Sequence, residues 1–121
     1  MRPFIFQAST KLTPILSDDY EPTVAMYMVA LGDYLDTARG LKGRVTSWRR
    51  VDDNMIPPRG KVCGAYVNSS LAKQEAERAG ADEAIFLNQD GKVCEGSAEN
   101  LFIVLSLLSV CSSNFLSVTD K

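Results

Sequence analysis

The chain contains no histidine, and that absence removes whole mechanisms. A Ser-His-Asp or Cys-His relay cannot be built from it. Cysteine is scarce as well. Cys63, Cys94 and Cys111 are odd in number and form no Cys-x-x-Cys pair, so neither a metal site nor a disulfide framework is expected. Reduced thiols in the cytoplasm fit this usage. Long apolar runs are missing too. The longest, Leu101 to Cys111, is well short of the ~20 residues that span a bilayer, so no membrane partner is expected. Nor does one sign of charge dominate. Thirteen Lys and Arg stand against 15 Asp and Glu, for a net charge of −2, with no basic excess to recruit nucleic acid. Met1-Arg2-Pro3-Phe4 lacks the apolar core of a signal peptide, so export is not expected. Acid–base chemistry must therefore fall to lysine, tyrosine or a carboxylate.

What is present is an ordinary globular composition over 121 residues, 45% hydrophobic and 23% charged, enough for one modest core. Pro3 to Ala8 reads as a short strand, followed by a polar loop to about Pro22. Thr23 to Leu31 is apolar throughout, as in a strand buried on both faces, and Pro22 and Gly32 limit it to strand length. A short helical turn follows, ended by Gly40 and Gly43. Arg44 to Val51 is the next strand, with Arg49 and Arg50 read as structural ion-pair partners rather than ligands of an anion. Asp52-Asp53-Asn54 is turn chemistry, and Pro57-Pro58 makes an extended approach to Lys61. Asn68 or Ser69 caps a helix running to about Ala79, with Leu71, Ala72, Glu75 and Ala76 along one face and Gly80 as its stop. Ala84 to Leu87 and Lys92 to Glu95 form a hairpin around Asn88-Gln89-Asp90-Gly91, and Asn100 to Val104 begins another strand.

The stretch Pro58-Arg59-Gly60-Lys61-Val62-Cys63-Gly64-Ala65-Tyr66 places one amine between small neighbours. Gly60 and Gly64 leave room for a flat ligand to come close. An unprotonated amine forms Schiff bases with carbonyls. Taken alone, Lys61 reads as a solvated loop lysine, Glu95 as an exposed strand-end carboxylate and Tyr66 as a packing residue beside a helix start. Gly96-Ser97-Ala98 offers a second place where a ligand could meet the backbone.

Three motifs in order change that balance. They are the Lys61-to-Tyr66 spacing, Ser69-Ser70-Leu71-Ala72-Lys73-Gln74-Glu75-Ala76, and Glu95-Gly96-Ser97-Ala98-Glu99-Asn100-Leu101-Phe102. In this combination the chain resembles the branched-chain amino acid aminotransferases, class IV pyridoxal-phosphate enzymes, from about Arg2 to Val104 and most strongly from Val45. Two related groups, D-amino acid aminotransferases and aminodeoxychorismate lyases, share the fold and the Lys/Glu pair. Glu99-Asn100-Leu101-Phe102 and Ser47-Trp48-Arg49-Arg50 favour the branched-chain group.

The resemblance implies an α/β fold: part of the large, cofactor-binding domain of a fold-type IV aminotransferase over residues 1–104, mostly strands with one well-marked helix. It implies transamination between branched-chain L-amino acids (leucine, isoleucine, valine) and 2-oxoglutarate, with pyridoxal 5'-phosphate as cofactor and a homo-oligomer in the intact family member. Lys61 is then the catalytic amine that forms a Schiff base with the cofactor and moves the proton. Glu95 holds the pyridine nitrogen protonated, and Tyr66 contacts the phenolic oxygen. Tyr34 and Ala98 face the substrate. Cys63 stands where many relatives carry glycine, and a buried, inert thiol is expected there. The family's arginine-bearing N-terminal domain and later phosphate-binding loops have no counterpart here. The Ser/Leu-rich stretch 105–121 does not match the family's continuation and reads as a frameshift, a mis-spliced end or a truncated frame. The chain by itself is accordingly expected to be incomplete and catalytically silent.

Overall fold

The structure is a computed structural model that describes residues 1–8, 11–15, 21–32, 36, 38–106 and 109–112, with backbone alone for 58, 104–106 and 109–112. The chain divides into two units, Met1–Tyr34 and Leu35–Lys121.

In the first unit, β1 (Arg2–Gln7) pairs antiparallel with β2 (Pro22–Tyr27), from Arg2 opposite Tyr27 to Gln7 opposite Pro22. Phe4 stacks on Phe6 at 5.8 Å between ring centroids, and Tyr27 tilts against Phe4 at 6.4 Å. The expected doubly buried strand through Leu31 is corrected here. Pairing stops at Tyr27, and Val24, Met26 and Met28 are all more than half exposed. The physical reason is that, among the described residues of its own unit, the two-stranded sheet has no second layer to cover either face. The helical turn expected after Gly32 falls largely on residues outside those described.

The second unit is built on a three-stranded sheet in the order β3 (Gly43–Arg49), β4 (Glu83–Leu87), β5 (Val93–Gly96). β3 and β4 are parallel, and α1 (Tyr66–Arg78) is the crossover that parallel neighbours require. β4 and β5 are antiparallel, joined by the expected turn, where Asn88 accepts from Gly91 N–H and Gly91 has φ +79°. β6 (Phe102–Ser106) and β7 (Ser109–Ser112) form a separate antiparallel pair.

The helix begins earlier than its sequence suggests. Tyr66 is its first residue, and Ala65 precedes it without a side-chain cap. Asn68 is therefore not a cap. It lies in the first turn, where its amide donates to Arg49 O at 3.1 Å and its Oδ1 accepts from Val51 N at 3.3 Å. Ser69, Ala72 and Ala76 face inward, whereas Leu71, expected on the inner face, is 37% exposed. The stop is as expected. Gly80 takes φ +77°, with Gly80 N–H on Glu77 O and Ala81 N–H on Ala76 O, the bonding of a Schellman ending.

The core is small: Ala72 and Ala76 of α1 against Ala84 and Phe86 of β4. Three alanines and one ring allow helix and sheet to approach closely. Glu75 clamps the helix to β3 by accepting from Ser47 Oγ at 2.6 Å, Ser47 N at 2.9 Å and Thr46 Oγ1 at 3.1 Å. Both strands beside β4 lose regular register around Phe86. Thr46, Ser47 and Trp48 lie between the pairs Val45–Ile85 and Arg49–Leu87, and Cys94 and Glu95 lie between Val93–Leu87 and Gly96–Ile85.

Phe86 is the largest fully buried side chain. Phe86→Ala should destabilise the second unit by about 3–5 kcal/mol, a large share of a small domain's stability. Chemical denaturation checks this, and a loss below about 1 kcal/mol would contradict the core assignment.

A carboxylate cluster makes stability depend on pH. Arg39 donates to both oxygens of Asp82, at 2.8 and 3.1 Å, and Lys42 N–H adds a bond of 2.8 Å. These bonds hold the Asp82 carboxyl at about 2, against an ordinary 3.8. A depressed carboxyl stabilises the fold in full above its unfolded value, and loses that contribution as pH falls through its folded one. The stability gap between the parent and Asp82→Asn should therefore narrow as pH falls from about 5 to about 2. Denaturation midpoints across that range check it. A gap unchanged at the acid end would contradict the assignment.

Candidate active site

The amine arrives on a strained loop. Arg59 pairs with Asp53 at 2.6 Å, and a single 3-10 turn, Pro58–Gly60, carries the chain to Lys61. Pro57 is extended, as expected, but Pro58 already belongs to this turn. Lys61 then adopts φ 51°, ψ 36°, the left-handed region, and among the described residues it alone does so without being glycine. Such a conformation costs about 1–2 kcal/mol for a residue with a Cβ. A second 3-10 turn, Cys63–Ala65, runs into α1. This geometry brings Lys61 back over the helix start, where Nζ donates to Tyr66 Oη at 3.2 Å.

Glu95 arrives from the other side of the sheet. Two residues of β5, Cys94 and Glu95, oppose the single residue Phe86, so the strand bulges there and Glu95 is re-aimed. Its Oε1 accepts from Arg50 Nε in an ion pair, and Arg50 NH1 reaches Asn68 Oδ1 at 3.3 Å. The Arg50 guanidinium also lies 5.6 Å from the centroid of the Phe86 ring, a cation–π contact. The expectation that Arg50 serves an ion pair thus holds, and its partner is Glu95. No further hydrogen bond occupies Glu95 Oε2 among the described residues.

Lys61, Tyr66, Glu95 and Ala98 all line one cavity of about 200 Å³. Arg50, Ser69, Ser97, Glu99 and Asn100 complete its polar wall. Tyr34, expected to face the substrate, lies outside the described residues. Gly64 has open space around it, as the approach of a flat ligand requires. At Gly96 the expectation fails. Glu99 folds back there instead of a ligand, and an added Cβ would meet Glu99 Oε2 at 3.1 Å. Cys63 is also corrected, being exposed because its turn lies on the surface. It borders a second, open groove with Val67, Leu71 and Gln74. Cys94 is half-buried, and its burial, together with the nearby Glu95 charge, pushes its thiol up from the ordinary range.

Sequence reasoning missed Glu83, which is 8% exposed at the head of β4. Its Oε1 accepts Ser97 N at 2.8 Å and Ala84 N at 2.9 Å, and Oε2 meets Lys73 Nζ at 3.0 Å. Burial opposes its ionisation, but the Ser97 hydroxyl and amide, with Lys73, outweigh it and hold the carboxyl below its usual range. Glu99 goes the other way. Burial and the neighbouring Glu83 charge push its carboxyl up. An acidic residue ahead of the apolar run Ala84 to Leu87 was the available signal, but nothing in the spacing links it to Ser97.

The sequence and fold of the chain match a known class. The family model described as Amino-transferase class IV matches residues 1–110, and the chain belongs to that family. It is 56% identical over 104 residues to a probable branched-chain-amino-acid aminotransferase of Aquifex aeolicus, an alignment covering 86% of this chain and 33% of the relative. It is 35% identical over 107 residues to the branched-chain-amino-acid aminotransferase of Escherichia coli K12, covering 86% of this chain and 35% of the relative. Among solved structures, the branched-chain aminotransferase of Thermoproteus uzoniensis with norvaline superposes with a TM-score of 0.78 at 40% identity, over 84% of this chain and 34% of that one. The branched-chain amino acid aminotransferase of Thermobaculum terrenum in its PLP-form gives a TM-score of 0.74 at 32% identity, over 84% and 33%. The chain thus spans about a third of the length of these relatives. Its strands and the α-helix among the described residues are part of a fold-type IV aminotransferase domain, as the sequence implied.

Proposed function

We propose that this chain carries the cofactor-binding core of an enzyme that exchanges amino groups between branched-chain L-amino acids (leucine, isoleucine, valine) and 2-oxoglutarate, using pyridoxal 5'-phosphate. The observation that carries the reading is that Lys61, Tyr66 and Glu95, matched to the family on motif alone, line one cavity, with the Lys61 amine 3.2 Å from the Tyr66 hydroxyl. The donor set suits the cofactor, since an amine, a neutral hydroxyl and a carboxylate are what its aldehyde, phenolic oxygen and ring nitrogen call for. Bound pyridoxal phosphate supplies an aldehyde and a ring that withdraws electrons.

The chain's own residues supply the rest. The Lys61 amine holds the cofactor, and its Nζ carries the proton that moves during transfer. The left-handed backbone at Lys61 supports this role, because strain of that kind collects where a side chain must be aimed. The Tyr66 hydroxyl orients Nζ and offers a donor to the phenolic oxygen. Glu95 keeps a carboxylate at the ring nitrogen, and Arg50, bonded to its other oxygen, fixes its direction. Ala98, small and exposed at the cavity wall, bounds the substrate.

One observation favours a second reading for the 121-residue chain by itself. Among the described residues, the cations lining the cavity are Lys61, which the cofactor's aldehyde would occupy, and Arg50, which is engaged with Glu95, so neither is left for a phosphate. That arrangement suits a chain that captures the cofactor but does not turn over. The homo-oligomer, the cytoplasmic location and the boundary between a matching 1–104 and a foreign 105–121 belong to the same proposal.

Incubation with pyridoxal phosphate followed by borohydride should leave a stable pyridoxyl label on Lys61, found by peptide mapping, and Lys61→Ala should lose it. A label scattered over the surface lysines, with Lys61 unmarked, would count against the site.

A further inference from the structure

The buried carboxylate of Glu83 has no part in the proposed chemistry, yet its bonds reach the cavity wall. Its Oε1 takes the amide protons of Ala84, on its own strand, and of Ser97, just beyond β5. Its Oε2 takes the ammonium of Lys73 from α1, and Lys73 also donates to Asp82 O. Glu99 lies close enough for the Glu83 charge to act on its carboxyl; its backbone oxygen accepts Gly96 N–H at 2.8 Å and its Oε2 accepts Ala98 N–H at 3.2 Å. The amides of Gly96, Ser97 and Ala98 are thus all occupied, Gly96 by the Glu99 backbone oxygen and the other two by the carboxyl groups of Glu83 and Glu99. Gly96 allows this packing, since a Cβ there would press on Glu99.

Ser97, Ala98 and Glu99 line the cavity, and Glu95 stands one residue before this turn. We propose that Glu83 is a positioning residue. Through the Ser97 amide it locks the Gly96–Glu99 turn against helix and sheet, and so holds the cavity wall and Glu95 in place before any ligand arrives. Two of its bonds would remain if the charge were removed but the shape kept. The side-chain oxygen of a glutamine can still accept from Ser97 and Ala84, whereas the ion pair with Lys73 is lost. Stability and positioning therefore separate between Glu83→Gln and Glu83→Ala.

Two readouts on the 121-residue chain test this. In the unchanged chain the Ser97 amide, followed by hydrogen exchange, should be protected at least about tenfold against its intrinsic rate. Glu83→Gln should keep that protection while its unfolding midpoint falls, and should label at Lys61 as the parent does. Glu83→Ala should lose Ser97 protection, and pyridoxyl labelling of Lys61 should fall about tenfold. An unprotected Ser97 in the unchanged chain overturns the proposal without recourse to any variant. So does a folded Glu83→Ala that keeps both readouts, or a folded Glu83→Gln that loses them. Only the labelling readout rests on the cofactor reading. A parent chain that never labels at Lys61 defeats that reading, while Ser97 exchange still decides the role of Glu83.

Discussion

Phe86 is the constraint from which the second unit is built. Its ring is fully buried against Ala72 and Ala76, and neither neighbouring strand passes it in regular register. On one side the irregularity takes up Thr46 to Trp48, which Glu75 of the helix then clamps. On the other it takes up Cys94 and Glu95. Arg50, just beyond the first stretch, meets Glu95 within the second, with the guanidinium over the Phe86 ring. A buried aromatic in a sheet edged by two irregular strands thus does more than fill space. It sets where the Glu95 carboxylate of the candidate site points.

The amine reaches the same cavity by a different route. Its placement depends on two 3-10 turns and one left-handed residue, which compress the five-residue spacing from Lys61 to Tyr66 until the side chains touch. Side chains meet here because helix start and loop are continuous in sequence. Glu95 arrives because strands pair across the sheet. A ligand in the cavity would span a local contact and a long-range one, so its affinity should report on folding of the whole unit.

Much of this was legible in the sequence. The α1 stop at Gly80 and the turn at Asn88 to Gly91 with its two flanking strands follow from turn chemistry and apolar spacing. Lys61, Tyr66, Glu95 and Ala98 were found through motif order, and the fold does bring them to one cavity. What escaped has physical causes. Asn68 looked like a cap because its residue type suits one, but the preceding 3-10 turn starts the helix at Tyr66 and frees Asn68 to bind Arg49, Arg50 and Val51. The β2 segment looked buried because it is apolar, yet apolarity reports a preference and not the presence of a covering layer. Glu83 was invisible because its partners lie on α1 and beyond β5, and pairing across such distances is set by register, not by spacing.

The central claim is that amine, hydroxyl and carboxylate converge on one ligand site. Amide chemical-shift mapping of the chain during titration with pyridoxal phosphate tests it most directly. The account predicts that the largest changes fall together on Val62, Tyr66 and Glu95 to Ala98, and saturate along a single curve. Changes confined to the open groove beside Cys63, Leu71 and Gln74, or scattered over both units with no change near Glu95, would contradict it.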